Sequence, residues 1–253
     1  MAEHLYNIDY LEQTMQLLGK LKQQSYNPFS TITEGTIADV GCGTGADAIN
    51  MARMLPGLEI IGLDYAPEMI TKATADAGDL PNISFRQAEA SALPFADNTL
   101  AGIRNERLIQ HVPDPAKVFA EFYRTLKPGQ PLVNVETDWS SIAFYNGNAH
   151  IAKALNHYLT FKNVKNGNAA ANLISDMTAA GFRDIGIELF PLASRSLQQV
   201  TAMLRIDHAL MMMKTEKHIS EVEYNSFLSA LEDADRNRYF VCSINLVVTT
   251  ATK

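Results

Sequence analysis

The chain has 253 residues, 47% of them hydrophobic, and a formal charge of −7. That length allows one sizeable core, or one domain with a small appendage, and the acidic balance argues against a nucleic-acid backbone as partner, which needs clustered Lys and Arg. No apolar run approaches the ~18 residues of a membrane span; the start Met1-Ala2-Glu3-His4 has no signal-peptide character, and Cys42 and Cys242 lack CxxC or Cys/His spacing, so free thiols in a cytoplasmic setting are expected.

Leu5 to Gln24 carry apolar positions at Leu11, Met15, Leu18 and Leu21, a helical stripe flanked by Tyr6, Tyr10 and Tyr26. Residues 1–30 read as an N-terminal helical lid, with Tyr6 and Tyr10 as candidate substrate contacts. The competing reading is a helix packed across the edge of the domain. Asn27-Pro28 and Gly35 then punctuate the approach to a strand.

That strand, Ile37 to Val40, runs at once into Gly41-Cys42-Gly43-Thr44-Gly45-Ala46, and Asp47 to Leu55 has the composition of a helix. A strand that turns through glycines into a helix leaves main chain uncovered by side chains, and its N–H groups are expected to face a ligand. A second apolar strand, Leu58 to Asp64, ends in an acid about 20 residues past the last glycine, where a carboxylate can accept from both ribose hydroxyls. Pro67 opens the next helix and Met69 lies one turn in, set either to pack on a purine or to fill the core. Ile83 to Gln87 reads as a third strand. It leads into Ala88-Glu89-Ala90 and the apolar Leu93-Pro94-Phe95, where Glu89 can meet an adenine amino group or simply face solvent.

A fourth strand, Thr99 to Arg104, precedes Asn105-Glu106-Arg107-Leu108-Ile109-Gln110-His111. Asp114 caps the helix opened by Pro115, with Val118, Phe119, Phe122 and Leu126 as its inner stripe. Lys127-Pro128-Gly129 ends it before a fifth strand, Pro131 to Glu136. This alternation argues for a parallel sheet covered on both faces, with ligands beyond the carboxyl ends of its strands. Gly41–Gly45, Asp64, Glu89, Asn105–Arg107 and Glu136–Trp139 all fall at such ends.

Asp39-Val-Gly-Cys-Gly-Thr-Gly45, Asp64, Ala88-Glu89-Ala90 with Leu93-Pro94-Phe95, and Leu126-Lys-Pro-Gly129 resemble the class I S-adenosylmethionine-dependent methyltransferases. The run Glu106 to Pro115 is similar to the small-molecule branch that includes quinone and natural-product methyltransferases. The resemblance covers roughly residues 36–135 and implies an α/β, Rossmann-like, seven-stranded, mostly parallel sheet with an antiparallel last strand. Helices on both faces and a helical cap go with it. It implies that Gly41, Gly43 and Gly45 line the methionine part of S-adenosylmethionine and that Asp39 holds its ammonium directly or through water. It further implies that Asp64 binds the ribose, Met69 packs on the adenine, Ala88, Glu89 and Ala90 read the adenine edge, and the Asn105 backbone faces the reactive methyl. The chain departs from the pattern at Leu100-Ala101, where an acid is usual, at Gln130, where a second glycine is frequent, and at Ala66, where a small hydroxyl residue is common.

The implied reaction is methyl transfer to a small organic acceptor through an O-, C- or N-nucleophile, aromatic and quinone-like acceptors included, leaving S-adenosylhomocysteine. Its alternatives are an S-adenosylmethionine-binding protein without transferase activity and, because Gly41-x-Gly43-x-x-Ala46 meets a relaxed dinucleotide fingerprint, an NAD-dependent oxidoreductase. Against the second stand Gly45, Asp39 and the Ala-Glu-Ala loop. His111 is the candidate base, its other reading being a hydrogen-bonded loop residue. Glu106 and Arg107 either pair with each other or orient the acceptor, and Trp139 and Tyr145, expected just past the fifth strand, are candidate pocket walls. Glu136 and Asp138 lack a third ligand nearby, so no metal is expected.

Farther on, Ala169 to Ala180 reads as a helix, Ile185 to Phe190 as a sixth strand and Phe240 to Thr249 as the last. Residues 194–238 read as a two-helix cap inserted before that last strand, either shaping the acceptor pocket or making a homodimer contact. The core is expected over 31–193 and 239–253.

Overall fold

The computed structural model describes residues 18–253, so Tyr6, Tyr10 and most of the expected lid lie outside the described residues. What is described of that segment is α1, Gly19–Tyr26, followed by a short 3-10 turn, Asn27–Phe29. Strand β1 is Thr36–Val40, α2 Ala46–Met54, β2 Glu59–Asp64, α3 Pro67–Ala77 and β3 Ile83–Gln87. Then come β4, Gly102–Glu106, α4, Pro115–Thr125, and β5, Pro131–Phe144. The remaining elements are α5 (Ala149–Tyr158), α6 (Ala169–Ala180), β6 (Arg183–Ser194), α7 (Leu197–Leu204), α8 (Ile206–Thr215), α9 (Glu221–Arg236) and β7 (Cys242–Thr252).

The strands form one seven-stranded sheet in the order β3-β2-β1-β4-β5-β7-β6. Pairs β2–β3, β1–β2, β1–β4 and β4–β5 are parallel. Strand β7 runs against β5: Gly129 N–H donates to Lys253 O at one end, and Tyr145 N–H to Val241 O at the other. The expected α/β architecture is thus present. The order reverses between β1 and β4, which puts the glycine turn at the switch point where open sheets of this kind bind ligands.

Contacts divide the described residues into two compact units, the first comprising residues 18–136, 172–188 and 247–253, the second residues 137–171 and 189–246. In the first, β1 and β4 are almost wholly buried, with the apolar Ile37, Ala38 and Ile103 fully enclosed beside the polar Asp39, Arg104 and Asn105. Helix α4 buries the stripe read from its sequence, Val118, Phe119 and Phe122, and Asp114 Oδ1 accepts from Lys117 N at 3.2 Å as its N-cap. The departure at Leu100-Ala101 is accommodated by burial of both side chains and by an Ala101 N–H to Thr36 O bond of 2.8 Å.

The second unit differs from the expected two-helix insertion. Three helices, α7, α8 and α9, share a core with α5 and the distal part of β5, through Val200, Leu210, Met213, Phe227 and Leu231 packed with Trp139, Ile142, Ile151 and Leu155. The break between α7 and α8 falls at Arg205, whose left-handed φ of 51° ends one helix and starts the next. Ser220 and Glu223 close a reciprocal capping box on α9.

Strand limits also shift. Strand β4 runs from Gly102 to Glu106 and not from Thr99 to Arg104, while β5 continues eight residues beyond Glu136, to Phe144. Trp139 therefore lies within β5 and not in a loop after it.

Candidate active site

Three left-handed glycines build the turn after β1: Gly41 at φ 74°, Gly43 at 53° and Gly45 at 79°. At Gly45 a Cβ would stand 2.7 Å from both Ala73 Cβ and the Phe85 ring, so space as well as φ requires glycine there. The N–H groups were expected to face a ligand. Instead Gly41 and Cys42 donate to Leu63 O (2.7 and 2.9 Å), Gly45 to Cys42 O (2.9 Å) and Gly43 to Asp64 Oδ2 (2.9 Å). What this turn presents is close backbone approach, not a row of free donors.

Asp64 ties the donor-side loops together. Its Oδ1 accepts from Ala66 N at 3.0 Å and its carbonyl from Ala88 N at 2.9 Å. The next residue, Tyr65, is 69% exposed, a large aromatic beside the acid that the sequence reading passed over. Met69 is half-buried in the first turn of α3, Ala88 and Ala90 are half-buried, and Glu89 is exposed in an isolated bridge with Ala92. Gly41 to Gly45, Asp64 and Ala88 to Ala90 thus meet at the carboxyl ends of adjacent strands.

Beside the turn lies a buried charge cluster that sequence spacing did not reveal. Arg104 sits opposite Asp39 in the β1–β4 register and is fully buried. Its Nη2 donates to Glu106 Oε2 at 2.6 Å and its Nε to Ser25 Oγ at 3.0 Å, while Nη1 lies 3.4 Å from Asp39 Oδ1 and 3.5 Å from Asp47 Oδ2. Lys22 of α1 bridges Asp47 (2.6 Å) and Glu106 (3.1 Å), and the Tyr26 hydroxyl donates to Asp47.

Burial pushes the Asp39 carboxyl up to about 7, only partly opposed by Arg104. Burial acts on Asp47 and Glu106 too, but Arg104 and Lys22 outweigh it and hold both carboxyls below the usual range. The Cys42 thiol is raised well above its ordinary value by burial, then by Asp39 and Asp64.

At the end of β4 the Asn105 side chain turns inward and donates to Asn134 Oδ1. Arg107 follows at φ 52°, its N–H on Val135 O at 2.7 Å and its guanidinium 3.4 Å from Glu106 Oε1. Glu106 and Arg107 are therefore members of an ion-pair network. His111 Nε2 lies 2.9 Å from Gln110 Nε2, and burial, then Arg107, lowers its pKa to about 4. It is neutral through the physiological range, and it is a weak base.

Glu136 is fully buried under this loop, its Oε1 accepting from Ile109 N at 2.6 Å, while Oε2 has no partner among the described residues. Burial raises its carboxyl to about 8 against the pull of the Ile109 and Gln110 N–H groups. Asp138 is occupied by Ser140, through N at 3.1 Å and Oγ at 2.6 Å. No group of three or more His, Cys, Asp or Glu suited to a metal ion occurs among the described residues. Trp139, 6% exposed, belongs to the core of the second unit, so the pocket-wall reading does not hold for it; Tyr145 is 67% exposed. Among the described residues no helix is long and apolar enough to cross a membrane.

Residues 37–129 match the family model described as a methyltransferase domain. An uncharacterized 37.1 kDa protein in a transposon of Streptomyces fradiae is 34% identical over 145 residues, 57% of this chain and 42% of that one. The demethylmenaquinone methyltransferase of Thermus thermophilus is 36% identical over 102 residues, 40% of this chain and 46% of that one. Each match takes in less than half of the relative's length. Among solved structures, a putative methyltransferase from Bacillus halodurans superposes with a TM-score of 0.66 at 15% identity, over 93% of this chain and 99% of that one, which supports the fold. The turn, the acid after β2 and the loop after β3 all lie within residues 37–129, the stretch that is similar to a methyltransferase domain.

Proposed function

We propose that the chain binds S-adenosylmethionine at the carboxyl ends of β1 to β4 and transfers its methyl group to a small organic acceptor. The observation that carries this reading is the left-handed glycine turn meeting Asp39, Asp64 and the Ala88 to Ala90 loop at the carboxyl ends of adjacent strands. Asp39 and Asp64 at that turn suit a ligand bearing an ammonium and a sulfonium better than the pyrophosphate of NAD. Gly41 and Gly43 give the methionine part close access to main chain, Asp39 faces the ammonium, and Asp64 faces the ribose hydroxyls. Met69, Ala88, Glu89 and Ala90 serve the adenine, with the exposed Tyr65 ring available to cover it.

When bound, the sulfonium supplies an already activated methyl group. The protein's share is alignment and the exclusion of water. The loop Asn105 to His111 is fixed from beneath by Glu136, and we assign Arg107 and His111 of that loop to the acceptor. A neutral His111 suits an acceptor whose proton is lost late, after the new bond to the methyl carbon has made it strongly acidic, because a weak base then suffices. The similarity to a demethylmenaquinone methyltransferase makes quinone-like and phenolic rings the first acceptors to try.

A second reading, a donor-binding protein without transfer, is favoured by the low basicity of His111. A screen for S-adenosylhomocysteine release over phenols, quinones, amines and carboxylates separates the two. Release dependent on one acceptor class supports transfer. Donor binding with no release across the panel supports the second reading.

A further inference from the structure

We propose that Arg104, which lies outside the donor-binding motifs, is the positioning residue of the donor site: its one long contact only partly offsets the burial of Asp39, so that donor binding draws a proton off Asp39 and strengthens as pH rises. The inference rests on the donor reading above and extends it to a residue of this chain that lies on β4, across the sheet register from Asp39.

The geometry makes Asp39 the least supported acid of the cluster. Three carboxylates, Asp39, Asp47 and Glu106, share three cations, Lys22, Arg104 and Arg107. Asp47 holds Lys22 at 2.6 Å and the Tyr26 hydroxyl, and Glu106 holds Arg104 at 2.6 Å, Lys22 at 3.1 Å and Arg107 at 3.4 Å. Among the described residues Asp39, 2% exposed, has one ion pair, at 3.4 Å, through the Nη1 that Arg104 also directs toward Asp47. A carboxylate out of water with one long contact is poorly compensated.

The charged and titratable groups facing Asp39 come from every neighbouring element: Arg104 and Glu106 from β4, Asp47 from α2, Lys22 and Tyr26 from α1, and Cys42 from the turn. Arg104 and Lys22 favour its ionised form, and Asp47 and Glu106 oppose it. A ligand ammonium, met directly or through one water, adds a further cation. Ligand binding then draws the proton off Asp39.

The sign follows. In the free protein Asp39 ionises near pH 7, and in the complex lower. Below that pH the apparent affinity falls up to tenfold per unit, because protonated Asp39 must first release its proton. Any loss of affinity toward the alkaline side comes from the ligand's own α-amino group, near pH 8, and is common to all variants.

The test is calorimetric titration of the full chain with S-adenosylmethionine, and with 5′-methylthioadenosine, which has the adenosyl group but no ammonium, from pH 5.5 to 7.5. The expected result is an acid-side loss of affinity and a matching proton release with S-adenosylmethionine, absent with methylthioadenosine and abolished by Asp39→Asn. Arg104→Met moves the midpoint to higher pH, Arg104→Lys restores it, and Asp47→Asn, which keeps the arginine, moves it to lower pH. The last variant tests the inference even if Arg104→Met does not fold. Equal pH dependence for both ligands, or midpoints unmoved by Asp47→Asn and Arg104→Met, overturns it. Absence of binding by either ligand at every pH overturns the donor reading instead.

Discussion

The fully buried Glu136 and the half-buried His111 set how the loop after β4 responds to pH. Glu136 ionises near pH 4.5 in an unfolded chain and near 8 in the folded one. The folded state therefore holds an extra proton between those values, and stability falls as pH rises across the window, levelling off above about pH 8. Its ionised form costs on the order of a few kcal/mol. Glu136→Gln keeps an acceptor for the Ile109 N–H and removes the ionisation. In urea denaturation between pH 5 and 9, wild type should lose stability relative to this variant as pH rises, and parallel curves would refute the assignment. His111→Ala should leave donor affinity intact and lower turnover at least tenfold; unchanged turnover would remove His111 from the reaction.

Among elements, the joint between β1 and α2 is the least tolerant. Gly45→Ala places a methyl group 2.7 Å from Ala73 and Phe85 at a φ of 79°, and should cost about 1–3 kcal/mol of stability and much of the donor affinity. A wild-type denaturation midpoint in that variant would show that the turn relaxes. This joint was legible in the sequence because an apolar run, three spaced glycines and an alanine-rich stretch each carry a local signal. Strand β5 was legible only as far as Glu136. Beyond it, Thr137 to Ser141 breaks the apolar run with polar side chains while the backbone stays extended. Arg104 was not legible at all, since it read as the end of an apolar strand and its partners Ser25 and Asp39 lie 79 and 65 residues away. The break at Arg205 escaped because arginine is a good helix former and nothing local marks it for a left-handed φ.

At the scale of the molecule, the first unit carries the donor motifs, and the second is a packed body of its own. Helices α7 to α9 give that second unit much of its core, so they are not a removable insertion. Phe227, 1% exposed, meets Phe144 edge to face at 6.1 Å, and Phe227→Ala should cost about 3–5 kcal/mol. The single tryptophan of the chain, Trp139, lies in the same core and reports on it. Its emission should shift to the red at lower denaturant in that variant, and an unchanged transition would contradict the packing described. The central claim is that the glycine turn, Asp39 and Asp64 bind S-adenosylmethionine. Calorimetric titration of the full chain with S-adenosylmethionine and, separately, with NAD tests it most directly. One equivalent of S-adenosylmethionine should bind, at least tenfold more weakly to Asp64→Ala, with no heat from NAD; binding of NAD with S-adenosylmethionine silent would contradict it.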